Sequence, residues 1–159
     1  MRNARFMPCA LLFFSGLATA DIAYADNCSG YDVLVLQSAE TTEIAKGHTM
    51  TVVRFYSIDM EDNTSSPFHL TTGECSGTIL SMPDGVTRAS GHCVRRDKAG
   101  DTYSLEWTLP AGAQRYSWKH VGGTGKFSSD STFGWAQYAA SDGKITVNRL
   151  GATCQGVRQ

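Results

Sequence analysis

His92 and Glu106 are two side chains whose residue types and spacing in the sequence suggest a catalytic pair. A hairpin turn over residues 97–101 would make them cross-strand neighbours. A histidine and a carboxylate within hydrogen-bonding reach can exchange a proton and so act as an acid/base pair. On a solvated face the same pair forms only a weak ion pair, and this structural interpretation is the better supported one.

Other common kinds of reactive site lack the spacing that their chemistry needs. No serine lies in a Gly-x-Ser-x-Gly elbow, so the sequence offers no α/β-hydrolase nucleophile. The histidines, His48, His69, His92 and His120, show no metal-ligand spacing with one another or with carboxylates. We therefore predict no metal site and no cofactor.

The glycine-rich segment around Gly122, Gly123 and Gly125 resembles a phosphate loop only superficially. A P-loop would need glycine where His120 stands and a hydroxyl residue where Phe127 stands. Glycines allow backbone angles that are closed to other residues, so the segment is typical of a tight structural turn between two strands.

The first 25 residues are typical of a secretory signal. Arg2 and Arg5 are followed by an apolar stretch, and Ala23-Tyr24-Ala25 matches a cleavage site with small residues. We expect a signal peptide over residues 1–25, a single domain over residues 26–159, and an exported protein, periplasmic or secreted. No later stretch is long and apolar enough to predict a membrane span.

The charge balance gives no reason to expect nucleic acid as a partner. Without Arg2, Arg5 and Asp21, the totals of 14 basic and 15 acidic residues become 12 and 14. Arg95, Arg96 and Lys98 form the only basic cluster, and acidic residues flank it. We interpret this cluster as a solvated turn.

The cysteines predict disulfide bonds. Cys9 leaves with the signal, and an even number, Cys28, Cys75, Cys93 and Cys154, remains. Pro83-Asp84-Gly85 fits a three-residue hairpin loop in which Met82 faces Val86. Counting seven residues outward along each arm places Cys75 opposite Cys93, within disulfide range. The remaining pair, Cys28 with Cys154, would join the first strand to the last.

Short β-branched and aromatic runs between glycine turns predict about eight strands and an all-β sandwich or barrel. Residues 37–46 could hold a helical turn, and residues 59–67 form a polar loop. The predicted strands outside the hairpins cover residues 31–36, 48–58, 114–121, 132–139 and 144–150.

The two hairpin registers place Trp107 opposite Gly91 and near Gly77 on an apolar face, while His92 and Glu106 lie on the polar face. In a barrel the apolar face is both the core and the wall of a cavity. The predicted ligand-binding residues are Trp107, Tyr103, Phe55, Trp118 and Trp135.

Val121-Gly-Gly-Thr-Gly-Lys-Phe127, preceded by Trp118, resembles a segment of the allene oxide cyclase-like and dirigent-like β-barrel proteins. Gly91-His92-Cys93-Val94 also resembles the strand before this motif in exported bacterial members, and the similarity extends over residues 73–154. It implies an eight-stranded antiparallel barrel, calycin-like and disulfide-stabilised, with an apolar cavity. Ser129, Asp130 and Ser131 stand where those proteins usually continue with glycines.

Three functions stay open at this point. The first is a non-catalytic exported barrel that binds a small hydrophobic or aromatic molecule. The second is a cyclase or stereocontrol enzyme of the isomerase kind, with an inward carboxylate or Arg95 at the cavity mouth as its polar handle. The third is a periplasmic inhibitor or interaction module that uses residues 59–67. The absence of a recognisable catalytic arrangement favours the first, and the resemblance leaves homo-oligomers open.

Overall fold

The computed structural model describes residues 27–153, which form eight antiparallel strands closed into a barrel. The strands are β1 (Asn27–Ala45), β2 (His48–Glu61), β3 (Thr72–Ser81), β4 (Thr87–Arg96), β5 (Thr102–Leu109), β6 (Arg115–Gly123), β7 (Phe133–Ser141) and β8 (Ile145–Thr153). Each strand pairs with the next, and β1 pairs with β8. The predicted all-β, eight-stranded antiparallel barrel is confirmed.

Some predictions fall outside the described part of the chain. The signal segment lies before it, and the proposed Cys28–Cys154 bridge needs a side chain and a residue that the structure does not describe. Within residues 27–153, no helix has the length and apolar character needed to cross a membrane.

The hairpin between β3 and β4 has the predicted register. The Met82 amide donates to the Val86 carbonyl over 2.9 Å, and Gly85 adopts a φ of 80°. This turn aligns Cys75 with Cys93, whose Cα atoms are 4.0 Å apart and whose side chains form a disulfide. The predicted Cys75–Cys93 bridge is confirmed.

The hairpin between β4 and β5 is also as predicted. The Asp97 amide donates to the Asp101 carbonyl over 2.9 Å, and Gly91 pairs with Trp107. A Cβ atom added to either Gly91 or Gly77 would overlap the six-membered ring of Trp107. The two glycines therefore leave the space that the indole occupies.

The first two strands are longer than the sequence suggested. Residues 37–45 continue β1 and do not form a helical turn, because β2 pairs with them in a ladder that includes Glu40 with Val52. At its other end β2 continues to Glu61, so residues 59–61 are strand and not loop. Pairing of Asp32 with Asp59 supplies the ladder that holds this extension.

The two ends of the barrel differ. One end, here the capped end, carries the connections over residues 62–71, 97–101 and 124–132. The other, the hairpin end, carries those over residues 46–47, 82–86, 110–114 and 142–144. Phe68 and Phe127, both buried, stack at the capped end with ring centroids 5.4 Å apart and pack on Tyr103. Aromatic packing therefore closes one end of the barrel.

The glycine segment reverses the chain as predicted. The reversal consists of the end of a strand and a 3₁₀ turn, and not of a tight turn made by all three glycines. β6 ends at Gly123, and a 3₁₀ turn over Gly125–Phe127 begins the connection to β7. Gly125 has a φ of 52°, whereas Gly123 does not have positive φ and is instead packed against the backbone of Thr102 and Phe127. Gly122 lies in the strand with open space around it.

A three-variant series tests what the turn requires. Gly125→Ala combines a strained φ with overlap of the Asp101 carboxylate and should lower the free energy of unfolding by more than about 1 kcal/mol. Gly100→Ala, with a φ of 96° and open space, should show only the strain. Gly122→Ala should change little. Urea denaturation gives the order, and a Gly125→Ala protein as stable as Gly122→Ala would contradict the assignment.

Candidate functional site

The barrel encloses a cavity of about 270 Å³. A single buried water needs only about 10–15 Å³, so this space suits a small organic molecule. Four of the five predicted ligand-binding residues, Phe55, Tyr103, Trp107 and Trp118, line it. Tyr116 adds a further ring near the hairpin end and contacts Trp107 edge to face at 5.8 Å. The wall is therefore mainly aromatic and aliphatic.

Trp135 lies outside the barrel, so its predicted place in the interior is wrong. Its neighbours Gly134 and Ala136 face inward, and strand alternation turns the indole outward. There the Arg115 guanidinium lies 4.4 Å from the ring centroid. Composition alone could not distinguish this tryptophan from the two that line the cavity.

A buried ion cluster lies at the capped end of the cavity. Arg95 Nη2 lies 3.0 Å from Asp32 Oδ2, and Arg95 Nη1 forms an ion pair with Asp59. The Tyr103 hydroxyl donates to Asp59 Oδ2 over 2.7 Å and lies 2.8 Å from the Thr71 hydroxyl. Burial and the Asp59 charge raise the pKa of Tyr103, so the phenol keeps its proton and donates it. Strands β1, β2, β4 and β5 are thereby joined across the interior.

The position of Arg95 corrects two expectations. Its side chain is only 5% exposed, so it is not part of a solvated basic turn with Arg96 and Lys98. It also lies at the capped end and not at a mouth, because β4 ends beside the connections that carry Phe68 and Phe127. Arg95 does line the cavity, as a polar handle would.

Three carboxyl groups at the capped end each have one oxygen that accepts no hydrogen bond from the described residues. Within residues 27–153, Asp32 Oδ1, Asp59 Oδ1 and Glu61 Oε2 are buried without a hydrogen-bond partner, and all three residues line the cavity. Burial raises the pKa of Asp32 to about 6, although Arg95 opposes the shift. Burial and the Asp59 charge raise the pKa of Glu61 to about 7. These groups can accept hydrogen bonds, and two of them can exchange protons near neutral pH.

A second polar pair, His120 with Asp130, borders the same space. The His120 ring lies against Tyr103 with centroids 4.7 Å apart, and its Nδ1 contacts Asp130 Oδ2. Thr132 binds the other carboxylate oxygen through its amide, at 2.9 Å, and its hydroxyl. Burial opposes ionisation of Asp130, yet the hydrogen bonds from His120 and Thr132 lower its pKa overall. The carboxylate therefore fixes the orientation of a cavity-lining imidazole.

His92 and Glu106, the candidate acid/base pair, are neighbours on the outer face. His92 Nε2 lies 3.5 Å from Glu106 Oε1, with the side chains 68% and 42% exposed. Lys119 contacts the same carboxylate at 3.2 Å and lowers its pKa, with a smaller contribution from His92. The pair is separate from the cavity and forms a surface ion network. In the described part of the chain, no group of His, Cys, Asp or Glu side chains is arranged to hold a metal ion.

The predicted site residues did not include Asp32, Asp59, Glu61 and Asp130. A signal for two of them was available, because every second residue of β2 from Val53 onward faces the interior, and that alternation reaches Asp59 and Glu61. Ending the predicted strand at residue 58 hid it. Asp130 carried no periodic signal, since it lies in a connection outside any strand.

Glu61 makes stability depend on pH in a defined direction. Because its pKa is raised from 4.5 to about 7, folding is not penalised below about pH 4.5, and stability falls as pH rises from there to about 7. Glu61→Gln should reduce this loss, by up to about 3 kcal/mol at pH 8. Urea denaturation between pH 4 and 8 measures it, with exposed Glu74→Gln as control. If the free energy of unfolding changed equally with pH in the unmodified protein, Glu61→Gln and Glu74→Gln, the buried position of Glu61 would be contradicted.

Comparisons with known proteins find similarity among solved structures. No protein-family model matches the chain, and no curated protein sequence matches it. Among solved structures, a pterocarpan synthase dirigent protein aligns with a TM-score of 0.49 and 14% sequence identity. The alignment covers 79% of this chain and 84% of that protein. The fold assignment therefore rests on the closed eight-stranded topology of this chain.

Proposed function

We propose that this protein is an exported, non-catalytic barrel that binds a small hydrophobic or aromatic molecule in its interior. The observation that carries the proposal is the aromatic cavity of about 270 Å³. Ligand sites are typically concave, mostly apolar and equipped with a few polar groups that fix orientation. The cavity combines these features, since rings form its wall and ionisable groups lie at the capped end.

The ligand's apolar body would pack against Trp107 and Trp118 in the middle of the barrel. These residues are directly paired across β5 and β6, with the Trp107 ring over Gly77 and Gly91 and the Trp118 ring over Gly134, so together they cover the wall on both sides of this pair. A polar end of the ligand would reach the carboxyls beside Arg95 at the capped end. The Trp118 Nε1 atom, buried without a partner in the described residues, offers one more donor along the wall.

Tryptophan fluorescence provides the test. Titration with a panel of terpenoids, phenolics, fatty acids and aromatic amines should change the emission for at least one class. Trp107→Ala should remove or weaken the change and lower affinity at least about tenfold, as is typical of losing a large buried aromatic contact. Trp135→Ala is the matched control, since this indole lies outside, and should leave affinity unchanged. If no class of compound changed the tryptophan emission, the proposed ligand binding would be contradicted.

A cyclase or stereocontrol enzyme is the second candidate. Asp32 and Glu61 favour it specifically, because buried carboxyls with pKa values of about 6 and 7 can donate or accept protons near neutral pH. In such an enzyme the aromatic wall would hold one conformation of a reactive molecule while a carboxyl transfers a proton. The interaction-module alternative has less support, since Asp59 and Glu61 face inward and only residues 62–67 of the expected loop remain outside strands.

Product analysis separates the two leading candidates. Each compound that perturbs the fluorescence is incubated with the protein and analysed by chiral chromatography. The binder returns each compound unaltered at every pH between 5 and 8, which is the expected result. An altered skeleton or an enantiomeric excess that Glu61→Gln abolishes would instead establish the enzyme.

A further inference from the structure

The capped end of the cavity carries more acid than base. Asp32, Asp59 and Glu61 contribute three carboxyls, and Arg95 contributes one guanidinium. Arg95 already contacts Asp32 and Asp59, so it has its strongest partners within the protein. When the carboxyls are ionised, the cluster is therefore negative, inside a wall of low polarity.

Among the hydrogen-bonding atoms at this end, unpartnered acceptors outnumber unpartnered donors. Three carboxyl oxygens, one each from Asp32, Asp59 and Glu61, are buried with no partner among the described residues. Among the described residues, Arg95 Nε is the unpartnered N–H of the cluster, and the buried Ser57 hydroxyl on β2 also has no partner. Buried polar groups normally have partners, and an unpaired one costs roughly 1–3 kcal/mol. A molecule that fits this end must bring several donors and little additional negative charge.

We infer that the occupant is an organic cation: a small aromatic or apolar molecule that carries an ammonium group, bound with the ammonium at the Asp32, Asp59 and Glu61 carboxyls. This inference rests on the proposed function, because it specifies the ligand of the same cavity. An ammonium supplies up to three N–H donors and one positive charge, which match the three open oxygens and the excess acid. Its apolar body lies against Trp107 and Trp118.

Other head groups fit this end less well. A carboxylate would add a fourth acid, and Arg95 Nε is the one unpartnered charged donor that the described residues of the cluster offer it. An alcohol donates a single hydrogen bond and leaves two of the three oxygens unpaired. Like charges brought together in a buried site are unfavourable, so the cavity should reject fatty-acid anions.

The charged and titratable groups around the cluster do not neutralise its excess of carboxyls. Tyr103 stays protonated and donates to Asp59, and Asp62 forms an external pair with Arg149 at 2.6 Å. His69 Nδ1 contacts the Glu61 backbone carbonyl at 3.1 Å and not its carboxyl. On the other side of Tyr103, His120 is held by Asp130. Ammonium affinity should therefore rise with pH from 5 to 8, as Asp32 and Glu61 ionise.

A matched probe series tests the head group. The probes are 2-phenylethylamine, 2-phenylethanol, 3-phenylpropanoate and ethylbenzene, which share a ring and differ at the other end. Calorimetry and fluorescence at pH 8 should show the amine binding at least about tenfold more tightly than the alcohol, and the carboxylate most weakly. Between pH 5 and 8 the amine's affinity should rise at least about fivefold, while that of the alcohol does not rise.

Variants assign the effect to the cluster. Asp32→Asn and Glu61→Gln keep the side-chain shape, and each should lower amine affinity at least about fivefold while changing alcohol affinity less than about twofold. Having two variants keeps the test available if one of them does not fold. Glu106→Gln, on the outer face, is the control and should change neither.

The outcomes separate this inference from the function on which it rests. Alcohol or ethylbenzene binding as tightly as the amine overturns the cation inference and leaves the ligand-binding barrel intact. Amine affinity that is unchanged in both carboxyl variants also overturns it. Failure of all four probes, and of the wider panel, to perturb tryptophan emission overturns both.

Discussion

The buried ion cluster around Arg95 is the interaction on which the interior depends. A charge removed from water costs several kcal/mol unless partners compensate it. Arg95 on β4 is compensated by Asp32 on β1 and Asp59 on β2, so residues far apart in the chain must meet across the lumen. Removing the guanidinium would leave two carboxyls facing each other in an apolar enclosure. The cluster therefore constrains both the arrangement of the strands and the chemistry of the cavity.

Packing around the cluster explains why the rest of the interior can stay open. Phe68 and Phe127 close the capped end, and Tyr103 bridges them to Asp59, because its ring packs edge to face on Phe68 and tilted on Phe127 while its hydroxyl donates to the carboxylate. Toward the middle, Trp107 is drawn against the wall because Gly77 and Gly91 have no side chains. Trp107 thus lines the wall of the cavity, and the space in front of it stays open.

The sequence predicted those parts of the fold that local turn chemistry determines. Gly85 and Gly100 fixed two hairpin registers, and these sufficed to align Cys75 with Cys93 and Trp107 with Gly91. It failed where long-range pairing decides. The β1–β2 ladder extends both strands over residues with weak local preference, and it turns Asp59 and Glu61 inward. Trp135 was misplaced for the related reason that its face depends on the β7 register and not on its apolar character.

The same long-range contacts make the two ends of the cavity chemically different. Asp32, Glu61, Arg95 and His120, which carry its ionisable character, all lie toward the end that Phe68 and Phe127 close. The residues that interrupt the resemblance to the cyclase-like segment take part in this, because Asp130 in that insertion orients His120. At the hairpin end the lining changes to Ile79, Ala89 and Tyr116. A ligand with one polar end would therefore be held in a single orientation, since reversing it would move that end away from every carboxyl of the cluster.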